Sequence, residues 1–413
     1  MNGGRAVKSR QVFLVLLIAL VVAGLGGTAL AHNPAAVDTD GGFAVGISLY
    51  GETASNSFGY RLLGLLNKHW TEEQRLAVAQ SIAEDGLMVN VYTDPGVYVQ
   101  YNNFRIYGGA QGEAEVRIPR ELAELAFKGV TLEELEAGDA EIDLAGVQGQ
   151  GGAYAQGGLS AAFSLAQFVD LPVEDVVVGI SGRYLYGLAY GETDFNGTIA
   201  YFEDDGGTRV VSRDLDVSVL HSQKGQGWAF DAGIAAQITP RLGVDVSVEN
   251  IGQVVWTDVK ERRWSKEGEW DLARVGYNSE TNEFEFEFAD GEELDEEEGS
   301  AEDITWKLPV RVRFGLEYAF DKQVTLRGSA RHTRYESGTS DTLFGGEVEY
   351  RPLPFIPITV GASYSQKTQL MLDAGVGVHF DQFELQLAAK NLHSLVLKEG
   401  KGLGLALTLG LHF

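Results

Sequence analysis

The chain has no cysteine among its 413 residues, which removes the small disulfide-stapled scaffolds that exported proteins often use. Cations are scarce: 32 Lys and Arg face 59 Asp and Glu, for a formal net charge of −27. Such a chain does not bind nucleic acid by neutralising phosphates. Beyond the N-terminal segment there is no apolar run of about 18 residues, so a bundle of membrane-spanning helices is excluded. Catalytic signatures are missing as well. The seven histidines are scattered singly with no His-Glu-x-x-His pair. The two nearest approaches to a Gly-x-Ser-x-Gly elbow, around Ser181 and Ser363, fail at the final glycine. Gly149-Gln-Gly151 and Gly400-Lys-Gly402 resemble phosphate-loop fragments but stand in strand context without a following helix. Neither an enzyme nor a cofactor is expected.

What is present begins with an export signal. Arg5, Lys8 and Arg10 form a basic stretch, Val12 to Val22 an uncharged apolar run, and Ala29-Leu30-Ala31 a small-x-small site. That order is a cleaved signal peptide over residues 1–31, with His32 as the mature start. The leader takes three cations with it and leaves the mature chain more acidic still. Glycine is abundant, with 52 residues.

The C-terminus carries the strongest pattern. Leu403, Leu405, Leu407, Leu409, Leu411 and Phe413 alternate with Gly402, Gly404, Ala406, Thr408, Gly410 and His412. A strand sends successive side chains to opposite faces, so one face is large and apolar and the other small or polar. The same alternation runs upstream: Leu372 to Phe380, Ile358 to Tyr364, Val324 to Ala330, Val310 to Tyr318, Val244 to Val248 and Trp228 to Ala236. A soluble sandwich would bury the apolar face, whereas a barrel turns it to lipid and keeps the polar face for the lumen. The export signal, the aromatic terminus and the strand-end aromatics decide for the barrel. Those aromatics are Tyr184, Tyr186, Tyr190, Trp228, Tyr318, Phe320, Tyr350, Tyr364 and Phe380, placed as interfacial girdles.

The expected fold is therefore all-β: a transmembrane antiparallel β-barrel of about 14 strands, within a range of 12–16, with a partly helical N-terminal plug or cap. Three parts follow: the signal peptide, residues 32–135 with strands and short helices, and a main barrel over 136–413. Thirteen strand candidates lie beyond residue 140, among them 140–149, 207–221 and 304–320. Some segments of 43–115 (around 87–92, 98–101 and 104–118) add to the count. Helices are expected over 58–68, from Thr71 to Ile82, and over 121–127 behind Pro119. They have room in the lumen, under the periplasmic mouth, or beside the wall. The long polar stretch 256–303 reads as the largest outward loop, with Trp264, Trp270, Phe284, Phe286 and Phe288 as an apolar capture surface.

Several short motifs carry a resemblance. They are Gly42 to Tyr50, Ala54-Ser-Asn-Ser57, Glu84-Asp-Gly-Leu87, Asn102-Asn-Phe104, Ile118-Pro119, Val248-Glu-Asn-Ile-Gly252 with Trp256, and Lys390-Asn-Leu392. In these the chain resembles an uncharacterised family of bacterial outer-membrane proteins, distantly similar to the long-chain fatty acid transporter barrels. The resemblance implies about 14 strands, N-terminal residues in or under the lumen, and uptake of hydrophobic compounds. The transporters' hatch precedes all their strands, while here helical segments are interleaved with strands, so none of their ligand-binding residues is carried over.

Among candidate site residues, Arg311, Arg313, Glu317, Arg327, Arg331, Glu347, Glu349 and Asp373 share the polar face of neighbouring strands, as does Glu384. Charges inside a barrel need partners or water, which makes this either a salt-bridge ladder bracing the wall or a charged constriction. A short turn after the first strand would put Arg311 close to Arg331. Leu405, Leu407, Leu409, Leu411 and Phe413 form the strand offered to the barrel-assembly machinery. The acidic run containing Asp295, Glu296, Glu297 and Glu298 is a solvated tip first and a divalent-cation site only second, because its spacing departs from calcium loops. The expected partners are outer-membrane lipid, the assembly machinery and a small-molecule or lipid-like solute; nucleic acid is not among them. The function these features suggest is a passive channel or uptake barrel in the bacterial outer membrane, with an envelope scaffold or secretion accessory as the alternative.

Overall fold

A computed structural model describes residues 33–37, 42–57, 72–84, 86–128, 140–168, 173–204, 207–278, 283–288, 294–336, 338, 340–392 and 402–413. After one 3-10 turn at Pro34–Ala36 the chain enters β1 (Phe43–Ser55) and then α1 (Glu72–Ala79). β2 (Leu87–Thr93), β3 (Gly96–Tyr101), β4 (Phe104–Ile118) and α2 (Arg120–Lys128) follow. β5 (Ala140–Asp143), β6 (Gln148–Ser164), β7 (Asp175–Asp204), β8 (Gly207–Ser222) and β9 (Lys224–Thr239) come next. Then come β10 (Leu242–Thr257), β11 (Lys260–Asn278), β12 (Glu283–Phe288), β13 (Asp295–Ser300) and β14 (Ile304–Lys307). The chain ends with β15 (Val310–Ala319), β16 (Val324–Arg334), β17 (Ser340–Leu353), β18 (Ile356–Ser365), β19 (Gln369–Phe380), β20 (Phe383–Lys390) and β21 (Gly402–His412).

Together they form a closed antiparallel barrel of 14 strands. β2 and β3 make one wall strand interrupted at Pro95, and β14 and β15 make another interrupted at Pro309, where proline cannot donate to the ladder. Closure is direct: β1 pairs with β21 from Ala44↔His412 to Ala54↔Gly402. Phe413 and Phe43 exchange backbone hydrogen bonds of 2.8 and 3.1 Å, and their rings lie 6.0 Å apart. No strand edge is left in the wall, as a lipid environment demands.

The alternating pattern sorts the faces. On β9, Trp228, Phe230 and Ile234 are 59, 57 and 50% exposed, while Ala229 and Asp231 between them are buried. The outward apolar residues of β9 run from Trp228 to Ile238, a length matching the roughly 9–11 residues a tilted strand needs to cross a bilayer. Leu405, Val360, Phe344, Ile106 and Leu159 continue the exposed apolar band around the circumference. In water such a band would drive aggregation; around a closed barrel it is the lipid-facing surface.

The wall explains only part of the strand content. β7 has 30 residues, roughly 100 Å of extended chain, but pairs with β9 only as far as Gly187. Beyond that point it pairs with β8, β8 with β11, and β11 with β12 and β13. These strands rise from the long-loop end as a projecting sheet, and β5 adds a short strand at β7's far end. Leu144, Ile199, Leu215 and Leu272 are buried together on it, and Leu122 of α2 packs against them. Ala123 of the same helix packs with Ile82 and Leu87, so α2 ties the projection to the barrel rim. At the foot of the sheet Lys224 and Lys260 flank Asp258 at 2.8 and 3.1 Å and hold its carboxyl below the usual carboxylate range.

Several sequence expectations are corrected by this geometry. Segment 256–303 is not a loop: β11, β12 and β13 extend the wall's own strands, because alternation persists through Trp264 and Trp270. The strands expected at 140–149 and 207–221 belong to the projecting sheet for the most part, so the wall draws eleven strands from beyond residue 140 and three from 43–118. Tyr190 does not join an interfacial girdle. A bulge opposite Ala153/Tyr154, between Gly187 and Ala189, reverses the facing of β7, and Tyr190 is 3% exposed inside. The second and third expected helices are α1 and α2. They connect wall strands at the end opposite Phe413. The first expected helix and the signal peptide lie outside the described residues.

Candidate functional site: the lumen

The lumen is lined by the polar face of every wall strand, and its charges are paired in groups. The most buried group spans β7, β9, β10 and β15. Arg183 Nη1 lies 2.6 Å from Asp231 Oδ2, and both side chains are almost fully buried. Arg183 also donates to Asn250 Oδ1, the Asn250 amide N–H donates to Asp231 Oδ1 at 2.8 Å, and the Asn250 carboxamide donates to the Pro309 carbonyl at 3.1 Å. Asn250 has a φ of +64° and sits where the β9–β10 ladder slips register. Asparagine tolerates that left-handed conformation better than other non-glycine residues. The Glu-Asn-Ile-Gly motif is therefore a wall bulge pinned by a buried ion pair.

A second group joins Arg311 to Glu113 at 3.6 Å and to the Tyr92 hydroxyl at 3.1 Å, with the guanidinium 4.6 Å above the Tyr92 ring. Arg313 stands 3.1 Å from Glu249, in an ion pair whose angle is too poor for a hydrogen bond. A third group gathers on Arg327, whose guanidinium meets Glu317 at 2.9 Å and both Glu347 and Glu349 at 3.0 Å. Arg351 adds a 2.7 Å contact to Glu349. Asp373 accepts the Asn391 backbone N–H at 2.9 Å, and Glu384 lies 4.0 Å from His412.

The charged residues singled out from the sequence fall into separate groups and do not form one ladder. Register sets Arg313, not Arg311, opposite Arg331. The reason is the turn. It runs through the four residues 320–323, closed by Phe320 N–H to Val324 O and by Asp321 accepting from Gln323 and Val324, one residue longer than the three-residue turn that would set Arg311 beside Arg331. Asp295, Glu296, Glu297 and Glu298 sit on β13, where consecutive side chains point to opposite faces, and all four are exposed. Glu296 and Glu298 pair with Arg262 instead of converging on a cation, and no metal-binding group occurs among the described residues.

Two further lumen features escaped the sequence pattern. Trp256, Trp306, Tyr154 and Tyr190 form an aromatic cluster with Leu185 and Val254 near the long-loop end, with Tyr190 stacked on Trp256 at 5.4 Å. A side chain at Gly152 or Gly187 would collide with Trp306 or Trp256, so these wall glycines make room for the rings. Trp256 is therefore a lumen residue and not part of a capture loop; Trp264 is also buried. The side chains of Phe284, Phe286 and Phe288 lie outside the described residues.

At the opposite end of the lumen the segment Asn33–Val37 lies against β6, β7 and β9. Asn33 donates to Asp245 at 3.1 Å, and side chains at Gly179 and Gly233 would collide with Pro34 and Asn33. Arg183, Asp231, Tyr92 and Glu113 were not singled out from the sequence, because isolated charges in alternating strands do not announce their partners. Asn250 and Asn391 did carry a signal, as asparagines interrupting alternation.

Among solved structures the chain is similar to the Pseudomonas putida toluene transporter TodX, at 10% identity, covering 94% of this chain and 92% of that one, with a TM-score of 0.44. It is similar in the same way to a Pseudomonas aeruginosa FadL homologue (10%, 95 and 96%, TM-score 0.45) and to the CymD monoaromatic hydrocarbon channel (11%, 92 and 91%, TM-score 0.44). The resemblance to hydrophobic-compound transporter barrels drawn from short motifs recurs here. A comparison with curated proteins gave no match. A family model matches residues 66–389, most of the chain, and the protein belongs to that family, described as a family of unknown function (DUF5723).

Proposed function

We propose that the protein is an outer-membrane uptake barrel that passively admits small molecules, hydrophobic ones among them. The observation that carries this reading is the inversion of faces. Large apolar side chains cover the outside, and the interior is polar, charged and lined along its length by distinct clusters. A wall built only to brace a projection needs no such graded interior. Entry runs past the aromatic cluster, and the Asn33–Val37 segment occupies the far end as a plug. The signal peptide and the Phe413-terminated strand serve export and assembly; N-terminal sequencing of the mature protein is expected to begin at His32.

One observation favours a second reading, an envelope scaffold: the projecting sheet is far larger than a channel requires. Liposome swelling and planar-bilayer conductance separate the two. The uptake reading expects swelling with small solutes. The absence of both swelling and conductance from correctly inserted barrels would overturn it and leave the scaffold.

A further inference from the structure

Two acidic side chains of one wall strand reach across the lumen to the opposite wall. Glu113 and Glu115 follow each other on the polar face of β4. Glu113 meets Arg311 of β15 at 3.6 Å, and the same guanidinium donates to the Tyr92 hydroxyl of β2 at 3.1 Å. Glu115, one rung nearer the long loops, lies 4.0 Å from Lys367 in the β18–β19 turn. None of these pairs joins neighbouring strands. β6, β7, β9 and β10 stand between β4 and β15 one way round the wall. The other way round lie β16 to β21, β1 and the β2/β3 strand. The contacts are therefore crossbars over the bore. Beside them the Trp306 ring of β14 reaches β6, where a side chain at Gly152, the register partner of Glu113, would collide with it.

The crossbars are dry. The Arg311 and Glu113 side chains are only 8 and 18% exposed, although they stand where an open pore would hold water. Toward the Phe413 end the interior changes: Arg327, Glu317 and Glu347 are 35, 56 and 39% exposed and face a wet vestibule. Between that vestibule and the long loops the passage thus meets a packed layer of matched opposite charges. The layer is electroneutral, so it draws in neither cations nor anions, and an entering ion sheds its hydration without an unpaired group to replace it. An uncharged molecule carries no such cost. Among the described residues neither Glu113 Oε2 nor Lys367 Nζ has a hydrogen bond, so both ion pairs are held by charge alone and part more easily than the hydrogen-bonded Arg183 and Asp231. All four partners hang on flexible side chains, so parting them leaves the wall unmoved. We propose that the Arg311–Glu113 and Lys367–Glu115 crossbars are the selectivity gate of the barrel, parting for small uncharged molecules and staying shut to ions.

This inference deepens the uptake reading by naming uncharged molecules as the substrate class, and it rests on that reading only for the existence of a passage. The test places the full-length barrel in planar bilayers under a potassium chloride gradient and reads conductance and reversal potential. The intact barrel is expected to conduct little. Arg311→Ser leaves Glu113 unmatched in the dry layer and is expected to raise conductance on the order of fivefold or more, with a reversal potential shifted toward that of potassium. Glu113→Gln leaves Arg311 unmatched and is expected to shift the reversal potential toward chloride. Arg262→Ser, on the projection outside the bore, is expected to change neither reading. Opposed shifts separate a gate from a brace, because a brace loosens the wall alike whichever partner is lost. Heat-modifiable gel mobility establishes folding first. Lys367→Gln and Glu115→Gln, at the more exposed crossbar, are expected to give the same opposed shifts should the inner variants fail to fold. Shifts in one direction, folded variants that conduct as the intact protein does, or an intact barrel that conducts ions freely would each overturn the proposal. Liposome swelling in an uncharged pentose keeps the two readings apart. Opposed shifts without swelling by the intact protein remove uptake and keep the gate, and swelling with unshifted potentials does the reverse.

Discussion

At the scale of single residues the barrel depends on charges that have been taken out of water in pairs. Arg183 and Asp231 are nearly inaccessible and hold the Asn250 bulge between them. Removing one partner leaves the other charge buried, at a cost of roughly 3–5 kcal/mol, whereas removing both together costs far less. Arg183→Met alone is expected to lower the urea midpoint of the folded barrel sharply. Arg183→Met with Asp231→Leu is expected to recover much of the loss, measured by tryptophan fluorescence in micelles. A second prediction concerns Gly179, whose missing side chain leaves space for Pro34. Gly179→Val is expected to dislodge the Asn33–Val37 segment without unfolding the wall. The readout is a larger single-channel conductance, and an unchanged conductance would show that the segment does not limit passage.

At the scale of elements the question is which face each strand gives to which medium. β21 pairs with β1 on one side and β20 on the other, with Leu407 opposite Leu49 and Leu387 at mid-height of the wall. Its side chain points to lipid, so Leu407→Arg is expected to destabilise the folded barrel by roughly 2–4 kcal/mol, the depth-dependent cost of a cation at the bilayer midplane. Thr408→Arg, one residue on, faces the lumen and is expected to cost less. Equal losses at both positions, read from urea titrations in lipid vesicles, would contradict the assignment of faces. The elements were largely legible as sequence. Strict alternation from Gly402 to Phe413 needs no partner to be recognised, and the helix behind Pro119 follows from its apolar spacing. Bulges were not legible. One extra residue in β7 turns Tyr190 from lipid to lumen, and the sequence around it keeps its alternation either side of the slip.

For the whole molecule, the division between wall and projection matters most. The projecting sheet carries its own apolar cluster and is joined to the rim through α2. A variant in which residues 195–218 and 261–299 are each replaced by a short Gly-Ser turn keeps every one of the wall ladders from β6 to β15. It is expected to insert and to show heat-modifiable mobility like the intact protein, while the loss of cover over Leu122 lowers its solubility outside lipid. Failure to insert would mean that the projection is part of the folding unit, as a barrel assembled on its own strands would not require.

The residues in order were sufficient to declare strands with one apolar and one polar face, because facing is a local property with a period of two and each strand repeats it; the export signal, the aromatic terminus and the strand-end aromatics turned that pattern into a barrel. The chain order also put charges on the polar face of the later strands, though it did not single out Arg183, Asp231 or Glu113. Which of them meet was decided only by the folded wall. Turn length and bulges shift register between strands, and a shift of one or two residues exchanges partners tens or hundreds of positions apart, as Arg313 with Glu249 and Arg183 with Asp231 illustrate. The projection was likewise a tertiary decision. Strand pattern does not record where the bilayer ends; pairing does, at the point where β7 leaves β9 for β8.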